Sequence, residues 1–498
     1  LEVAVTLVHR ILYPEPIATL ESYLTSRGGR GLEALRSLDA EEVVRMLEDS
    51  GLRGRGGAGF PTGRKWRTVL EGHAPHRPSA VVVNGAEGEP GTFKDRTILR
   101  NDPYQVIEGA VIAARVVGAD EIVFGLKRSF GPELERLRAA IEEITAAGWV
   151  EGITVRIVEG PDEYLFGEET ALLETIDGRY PFPRIAPPYR RGIHEETLDG
   201  GAPGDERPTG LSAEIEMVGA GEATPALVDN VETMANVAHI VARGASWFRT
   251  DGTEESPGTV VCTVTGAVER AGVGEVIMGT PLREVLEAIA GPPDSGSYKA
   301  VLVGVSNAVI GADQLDTPVS YEGLAAIGSG LGSAGFIVFD DTGDMAAVAA
   351  GVASFLATES CGQCRPCKTD GLRVAALLEG IAASTGEASD LAEVRDRLET
   401  VADGARCALA TQQQQVVGSL LDRFPDEVTA HLENRVRGVA PELIVELVDI
   451  SESRAVWDER HRLKQPDWTY ETDWSGKAPV ERFAEHHAGQ SLPEEPES

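Results

Sequence analysis

The chain has 498 residues, 42% of them apolar and 25% charged, with a formal net charge of −35. This composition suits several folded domains and excludes a wholly disordered or fibrous chain, and no apolar run reaches the roughly 18 residues that cross a bilayer. So acidic a surface repels phosphate backbones and anionic headgroups, so nucleic acid is not an expected partner and any membrane association is expected only through a complex.

The first stretch, LEVAVTLVHRILYPEP, carries His9 and Arg10 within its apolar run and lacks a basic leader. It does not read as a secretory signal, and a cytoplasmic location is expected. Residues 14 to 50 predict short helices, the clearest being SLDAEEVVRMLEDSG, with Asp39 as N-cap and Gly51 as stop. The glycine-rich GLRGRGGAGFPTGRKW follows. SAVVVNG, DEIVFGL and ITVRIVEG then read as strands alternating with the helical PYQVIEGAVIAARVVG and GPELERLRAAIEEITAAG. That order predicts a parallel sheet with its ligand loops beyond the strand ends.

Residues 178 to 226 are rich in Pro and Gly and predict a long functional loop, followed by a helix over 227–243. GTVVCTVTGAV, VGEVIMG, PLREVLEAIAG, YKAVLVG and GFIVFDD predict a strand-rich unit with one helix, read as β-grasp-like. From about 342 to 423 the pattern is helical. The polar stretch 437–498 contains Trp457, Trp468 and Trp474, too much aromatic surface for a solvated tail, and is expected to pack on this chain or a partner.

Five cysteines with three clustered do not form a secreted disulfide framework. Cys361, Cys364 and Cys367 give C-x2-C-x2-C in ESCGQCRPC, and Cys407 is the natural fourth ligand. Such a run suits a cubane iron–sulfur cluster, with three sulfurs from one short loop and a distant fourth. Zinc is the competing assignment, although structural zinc favours two separated C-x2-C pairs. Cys262, among apolar neighbours, reads as a buried small hydrophobe.

Gly54, Gly56 and Gly59 satisfy G-x-G-x-x-G, but the loop follows a helix rather than a strand, which argues against a simple Rossmann NAD site. The glycines still offer a backbone that a flat ring or a phosphate approaches closely; a surface turn is the plainer reading. NGAEGEPGTFKDR brings Asn84, Glu87, Glu89 and Lys94 to a strand end. Glu168 and Glu169 in GEETALL open a helix, where one of them is explained equally well as a cap. No nucleophile accompanies these acids, and the His73–His76 pair reads as solvated.

Taken together, GLRGRGGAGFPTGRKW, NGAEGEPGTFKDR, GEETALL, DNVET and ESCGQCRPC resemble the flavin-bearing, NADH-oxidising subunit of respiratory complex I and its diaphorase relatives in NAD-linked hydrogenases and formate dehydrogenases, from about residue 45 to 436. The resemblance implies an α/β plus α+β chain. Its parts would be a Rossmann-like FMN- and NADH-binding domain (51–245), a ubiquitin-like β-grasp domain (246–340) and a helical iron–sulfur bundle (341–436); an N-terminal helical segment (1–50) precedes them, and a polar arm (437–498), extra to the family's pattern, follows. It implies FMN, one 4Fe-4S cluster and NAD(H) as cofactors. Gly54, Gly56, Gly57, Lys65, Asn84, Glu87, Gly88, Asn230 and Thr233 would contact FMN; Phe60, Glu89 and Glu169, with Glu168 beside it, would complete the cofactor-binding set toward the nicotinamide. The implied reaction is hydride transfer from NADH to flavin and single-electron steps into the cluster, with no catalytic base of the protein's own. Onward partners would include a small thioredoxin-like 2Fe-2S subunit and a larger iron–sulfur or catalytic subunit. Two departures stand out: Ala86 replaces the family's acid and Ala186 its lysine. The competing possibilities are an FMN and cluster subunit of another oxidoreductase with a lost or altered nicotinamide site, and a non-catalytic scaffold.

Overall fold

The computed structural model describes residues 7–26, 28–72, 79–193 and 225–484. The His73–His76 pair and most of the 192–222 span lie outside the described residues. Four strands, β1 (Ser79–Asn84), β2 (Ala119–Lys127), β3 (Thr154–Gly160) and β4 (Ala226–Asn230), form a parallel sheet in the order β3-β2-β1-β4. The chain runs outward from β1 to β2 and β3, then returns to place β4 on the other side of β1. The strand order therefore reverses between β1 and β4, where open α/β sheets leave a crevice at the carboxyl ends. Asn84 and Asn230 face each other in register at that end.

β4 corrects the helix expected over 227–243. ALVDN is buried and pairs with β1, and the helix starts only at Val231, with the Asn230 side chain accepting from Glu232 N at 3.0 Å. A continuous apolar run does not separate buried strand from helix, and only pairing with β1 decides it. Upstream, the helix Ala40–Ser50 has the expected ends: Asp39 accepts from Glu42 N at 2.8 Å, and Gly51 takes a left-handed φ of 71°.

One face of the parallel sheet contributes Val81 and Val83 to a core shared with the helices Pro103–Val117 and Val231–Arg243. Tyr23, Val43 and Leu47 of the N-terminal helices join the same core. The other face packs Val82 and Val123 against Phe166 and Leu172.

A second, mixed sheet contains β5 (Thr259–Gly266), β6 (Gly272–Ile277), β7 (Tyr298–Val303), β8 (Ile310–Gly311) and β9 (Gly335–Asp340), in the order β6-β5-β9-β7-β8. β5 and β9 are parallel and the other pairs antiparallel. The helix Leu282–Ala290 covers one face through Leu282, Val285, Leu286 and Ile289, and Cys262 is fully buried in that core.

Helices then dominate: Met345–Glu359, Arg365–Ala382, Ala388–Thr400 and Leu409–Arg423. Met345–Glu359 is apolar and buried all round, as a central helix must be. The last described stretch forms a hairpin of β10 (Leu447–Ser451) and β11 (Arg454–Trp457) and ends in the short helix Pro479–Ala484. Trp468 and Phe483 enter the same core as the helices, so this stretch packs on its own chain, whereas Trp474 is exposed. No helix among the described residues is long and apolar enough to cross a membrane.

Candidate functional site

The glycine loop lies between the helices Ala40–Ser50 and Thr62–Glu71 and closes on itself, with Gly54 N donating to Phe60 O at 2.8 Å. Gly57 has φ 127°, and a Cβ there would meet nothing within 4 Å, so the loop presents open backbone at this point. Gly56 is tighter: a Cβ on it would lie 3.2 Å from Asn230 Cβ. Gly59 turns left-handed at φ 60° directly against the Tyr321 ring. Tyr321 donates to Gly54 O at 2.8 Å, and the Arg53 guanidinium lies 4.0 Å from its ring centroid. Phe60 is exposed at the loop's end.

Below the loop is a set of charges, each with a counter-charge. Lys65 Nζ donates to Glu169 Oε1 at 2.9 Å and to Val228 O at 2.8 Å, and lies 3.7 Å from Asp229. Burial opposes its charge, but Asp229 and Glu169 outweigh burial and hold its pKa above the ordinary lysine value. Lys94 is fully buried and bonds Asp95 (2.7 Å), Glu232 (3.0 Å) and Asn230 Oδ1 (3.2 Å). Asn230 Nδ2 donates to Asp95 Oδ2 at 2.7 Å. Burial pushes the Asp95 carboxyl up to about 6 even beside Lys94.

Several residues in the expected set turn out to work on the protein itself. Glu87 accepts from the backbone of Asp95 (2.9 Å) and Arg96 (3.2 Å), capping the helix Lys94–Asn101, which has no other side-chain cap. Glu168 caps the helix Glu169–Ile176 through Thr170 N and Ala171 N, both at 2.9 Å. Thr233 Oγ1 accepts from Arg55 N at 2.9 Å and so anchors the glycine loop to the helix after β4. Asn84 donates to Gly167 O at 2.9 Å. Gly88 is buried where a Cβ would lie 2.9 Å from Lys127 Nζ. Ala86 is buried in the core beneath the sheet, and Ala186 is half-buried.

Glu89 accepts from Tyr164 Oη at 2.6 Å and from Val305 N at 2.7 Å, and burial raises its pKa. Tyr164 Oη also lies 3.3 Å from Gln412 Oε1, in the helix that begins two residues after Cys407. One tyrosine thus joins the strand-end loop to the cysteine region. The residue types and spacing around Tyr164, Tyr321 and Asp229 carry no sequence signal for these contacts; Tyr321 reaches Gly54 across 267 positions.

Cys361, Cys364, Cys367 and Cys407 line one pocket together with Leu165, Pro183, Ser360, Arg406 and Leu409. Cys364 stands at the N-cap position of the helix Arg365–Ala382 without a side-chain capping bond, Cys367 lies in the first turn, and Cys407 precedes the helix Leu409–Arg423. Burial pushes the Cys361 and Cys407 thiols up, and Cys367 to about 11. Ser360 Oγ lies 3.2 Å from Cys367 Sγ, and Gln363 Nε2 donates to Cys361 Sγ at 3.7 Å. Lys368 Nζ donates to the carbonyls of Ala357 (2.9 Å), Thr358 (3.3 Å) and Ser360 (2.9 Å), satisfying the end of the helix Met345–Glu359. Among the described residues no three His, Cys, Asp or Glu side chains close around a single-ion site. A zinc ion needs sulfurs about 2.3 Å from one point. Four thiols lining one pocket are the donor set that a four-iron cluster uses, one sulfur to each iron.

Residues 47–239, which contain the glycine loop and both strand ends, match the family model described as "Nuo51 FMN-binding domain". Residues 347–431, which contain all four clustered cysteines, match the one described as "NADH-ubiquinone oxidoreductase-F iron-sulfur binding region". The chain is 36% identical over 430 residues to the second F-type subunit of the NADH-quinone oxidoreductase of Rhizobium meliloti (strain 1021), covering 84% of this chain and 95% of that one. The chain belongs to the family of F-type subunits of NADH-quinone oxidoreductase. The chain is also 33% identical to the NADP-reducing hydrogenase subunit HndC of Solidesulfovibrio fructosivorans, covering 84% of this chain and 81% of the relative. A crystal structure of an NAD+-reducing [NiFe]-hydrogenase in the H2-reduced state superposes with a TM-score of 0.71 at 32% identity, covering 86% of this chain and 68% of that one.

Proposed function

We propose that the protein is the NADH-oxidising flavoprotein subunit of a larger redox complex, passing electrons from NADH through FMN to one 4Fe-4S cluster and on to partner subunits. The observation that carries this reading is the closeness of the two sites: Tyr164 bonds Glu89 of the strand-end loop and reaches Gln412 beside the cysteine pocket. In this reading Gly54, Gly56 and Gly57 give a flat ring its backbone bed, Lys65 supplies a fixed cation, and Asn84 and Gly88 close the strand-end side. Asn230 and Thr233 stand at the amino end of the helix Val231–Arg243, where the helix dipole favours a phosphate. Glu87 and Glu168 act as caps that hold these loops in place. Phe60, Glu89 and Glu169 face the nicotinamide. Bound FMN supplies the chemistry the side chains lack, accepting a two-electron hydride and releasing single electrons.

The mixed sheet, with the helix Leu282–Ala290 and the short helix Tyr321–Ala326 on its core, reads as a β-grasp unit, and the later helices as the bundle around Cys361, Cys364, Cys367 and Cys407. A cluster needs an onward acceptor, so the expected partners are a small thioredoxin-like 2Fe-2S subunit and a larger iron–sulfur or catalytic subunit. A second reading, a flavin and cluster subunit with an altered nicotinamide site, draws on Ala86 and Ala186, which bring no charge where the family has an acid and a lysine.

Anaerobic protein reconstituted with iron, sulfide and FMN, then mixed with NADH and ferricyanide, tests the proposal. Flavin bleaching with dye reduction is expected. A yellow-brown protein inert to NADH supports the second reading, and zinc or no metal in place of iron overturns both.

A further inference from the structure

Residues 442–484 lie beyond both family-model matches, the later of which ends at 431, yet they touch both candidate cofactor regions. The Glu446 carboxylate accepts from Lys127 Nζ at 2.6 Å, and this pair sits against Gly88: a Cβ there would be 2.9 Å from Lys127 Nζ and 3.0 Å from Glu446 Oε1. Arg96, whose Nε lies 3.2 Å from Glu87 Oε2, donates to Leu447 O at 2.7 Å. Arg100 donates to Asp449 at 2.8 Å. The strand-end loop is therefore braced from behind by this segment.

Further along, the same segment grips the cysteine loop. Lys464 Nζ (2.6 Å) and His461 Nε2 (2.9 Å) both bond Glu359 Oε1, on the last residue of the helix before the cysteine run. The other Glu359 oxygen accepts from Tyr164 N at 3.0 Å. Trp468 Nε1 donates to Thr358 O at 3.1 Å, and Val480 N donates to Cys361 O at 3.0 Å. Gly362 turns at φ 84° directly beneath Ala478, so that a Cβ on it would collide. Phe483 stacks on Tyr180 with ring centroids 3.9 Å apart, and Trp468 and Phe483 share a core with Cys361 and Cys367. The described residues of this segment make no hydrogen bond to Cys364 or Cys407, which are half-buried as residues, and Arg365 and Arg406 beside them are exposed.

Resting on the function proposed above, we infer that residues 442–484 are a resident strap that ties the strand-end loop to the cysteine loop. The strap seals the Cys361 side of the cluster and leaves the Cys364–Cys407 side as the face that an electron acceptor meets. Water beside a cluster stabilises its more negative, reduced form and so raises its potential. A sealed side keeps the cluster a stronger reductant and slows access of chelators to its iron.

The test compares the holoprotein with a chain ending at residue 441 and with Val480→Pro. The second change removes a single N–H donor, in the first turn of a helix, where proline is tolerated. Three quantities are read: iron release to a chelator, the cluster's midpoint potential, and hydrogen exchange over residues 85–88 and 359–364. In the shortened chain, iron release faster by at least about tenfold, roughly what one lost buried side chain is worth, is expected. The potential should move to more positive values and exchange should rise in both segments. In Val480→Pro the same changes should appear at the cysteine loop alone. A folded shortened chain with unchanged release, potential and exchange overturns the strap. If the shortened chain does not fold, an unchanged Val480→Pro protein overturns it instead. Wild-type protein that takes up no iron overturns the functional reading, and the exchange pattern still decides the strap.

Discussion

Around the glycine loop the chain gives its lysines counter-charges, Lys65 the buried Asp229 and the partly exposed Glu169, and Lys94 the buried Asp95 and Glu232. Around the cysteine loop burial pushes the Cys361, Cys367 and Cys407 thiols up, Cys367 to about 11. The first region therefore has its shape before any cofactor arrives. In the second, a cluster would be held by thiolates, so its binding would release protons. Flavin binding thus adds to a finished fold, whereas cluster binding completes one. Damage confined to one region's own side chains should accordingly leave the other's cofactor in place, whereas loss of the strap should reach both.

The largest effect that would overturn this contrast comes from Cys407→Ser. It should abolish or convert the 4Fe-4S signal while FMN stays bound, because Cys407 comes from a different loop than the three clustered cysteines and none of the charge pairs below the glycine loop involves it. Iron content and the visible spectrum of the variant check this; an unchanged spectrum would refute the ligand assignment. Next in size is Lys94→Met. It leaves the Asp95 carboxylate buried without its cation and Glu232 with only Arg55 Nε at 3.8 Å, and breaking a buried pair in this way costs about 3–5 kcal/mol. The urea midpoint for the parallel-sheet region should fall by a corresponding amount, with the cluster's signal retained below the transition. Simultaneous loss of the cluster would show that the two regions are not independent.

How far these regions were legible in the sequence depended on whether local chemistry or distant packing decides the residue's role. The cysteines announce themselves, since three thiols in seven positions have few other uses, and the folded chain brings Cys407 to the same pocket. The helix over Ala40–Ser50 was legible from Asp39 and Gly51 because caps are local. Strand β4 was not, since ALVDN runs without a break into the helix after it and only pairing with β1 marks the change. Lys94 and Glu87 sit in a motif that suggests a ligand loop, yet they turn to the protein, Lys94 to a buried ion network and Glu87 to a helix end. The tail's aromatic content correctly suggested packing; that its lysine and histidine would seek out Glu359 depends on more than 100 intervening residues.

The smallest effect refines the contrast within the glycine loop itself. Gly57 and Gly59 both have positive φ, so alanine at either costs backbone energy, roughly 1–2 kcal/mol. Beyond that cost they differ. A methyl at Gly57 would enter open space, whereas one at Gly59 would lie 2.4 Å from a carbon of the Tyr321 ring, which also bonds Gly54 O. If the open side of the loop is where a flat ring lies, Gly57→Ala should weaken FMN binding roughly tenfold, the equivalent of about 1.4 kcal/mol, with the unfolding midpoint changed only by the backbone cost. Gly59→Ala should lower stability more, because Tyr321 must move, and its loss of flavin should follow from that displacement. Flavin titration beside urea unfolding on the two variants separates the cases. Equal affinities in Gly57→Ala and wild type would mean that the ring approaches from elsewhere, and that the space above Gly57 belongs to a surface turn.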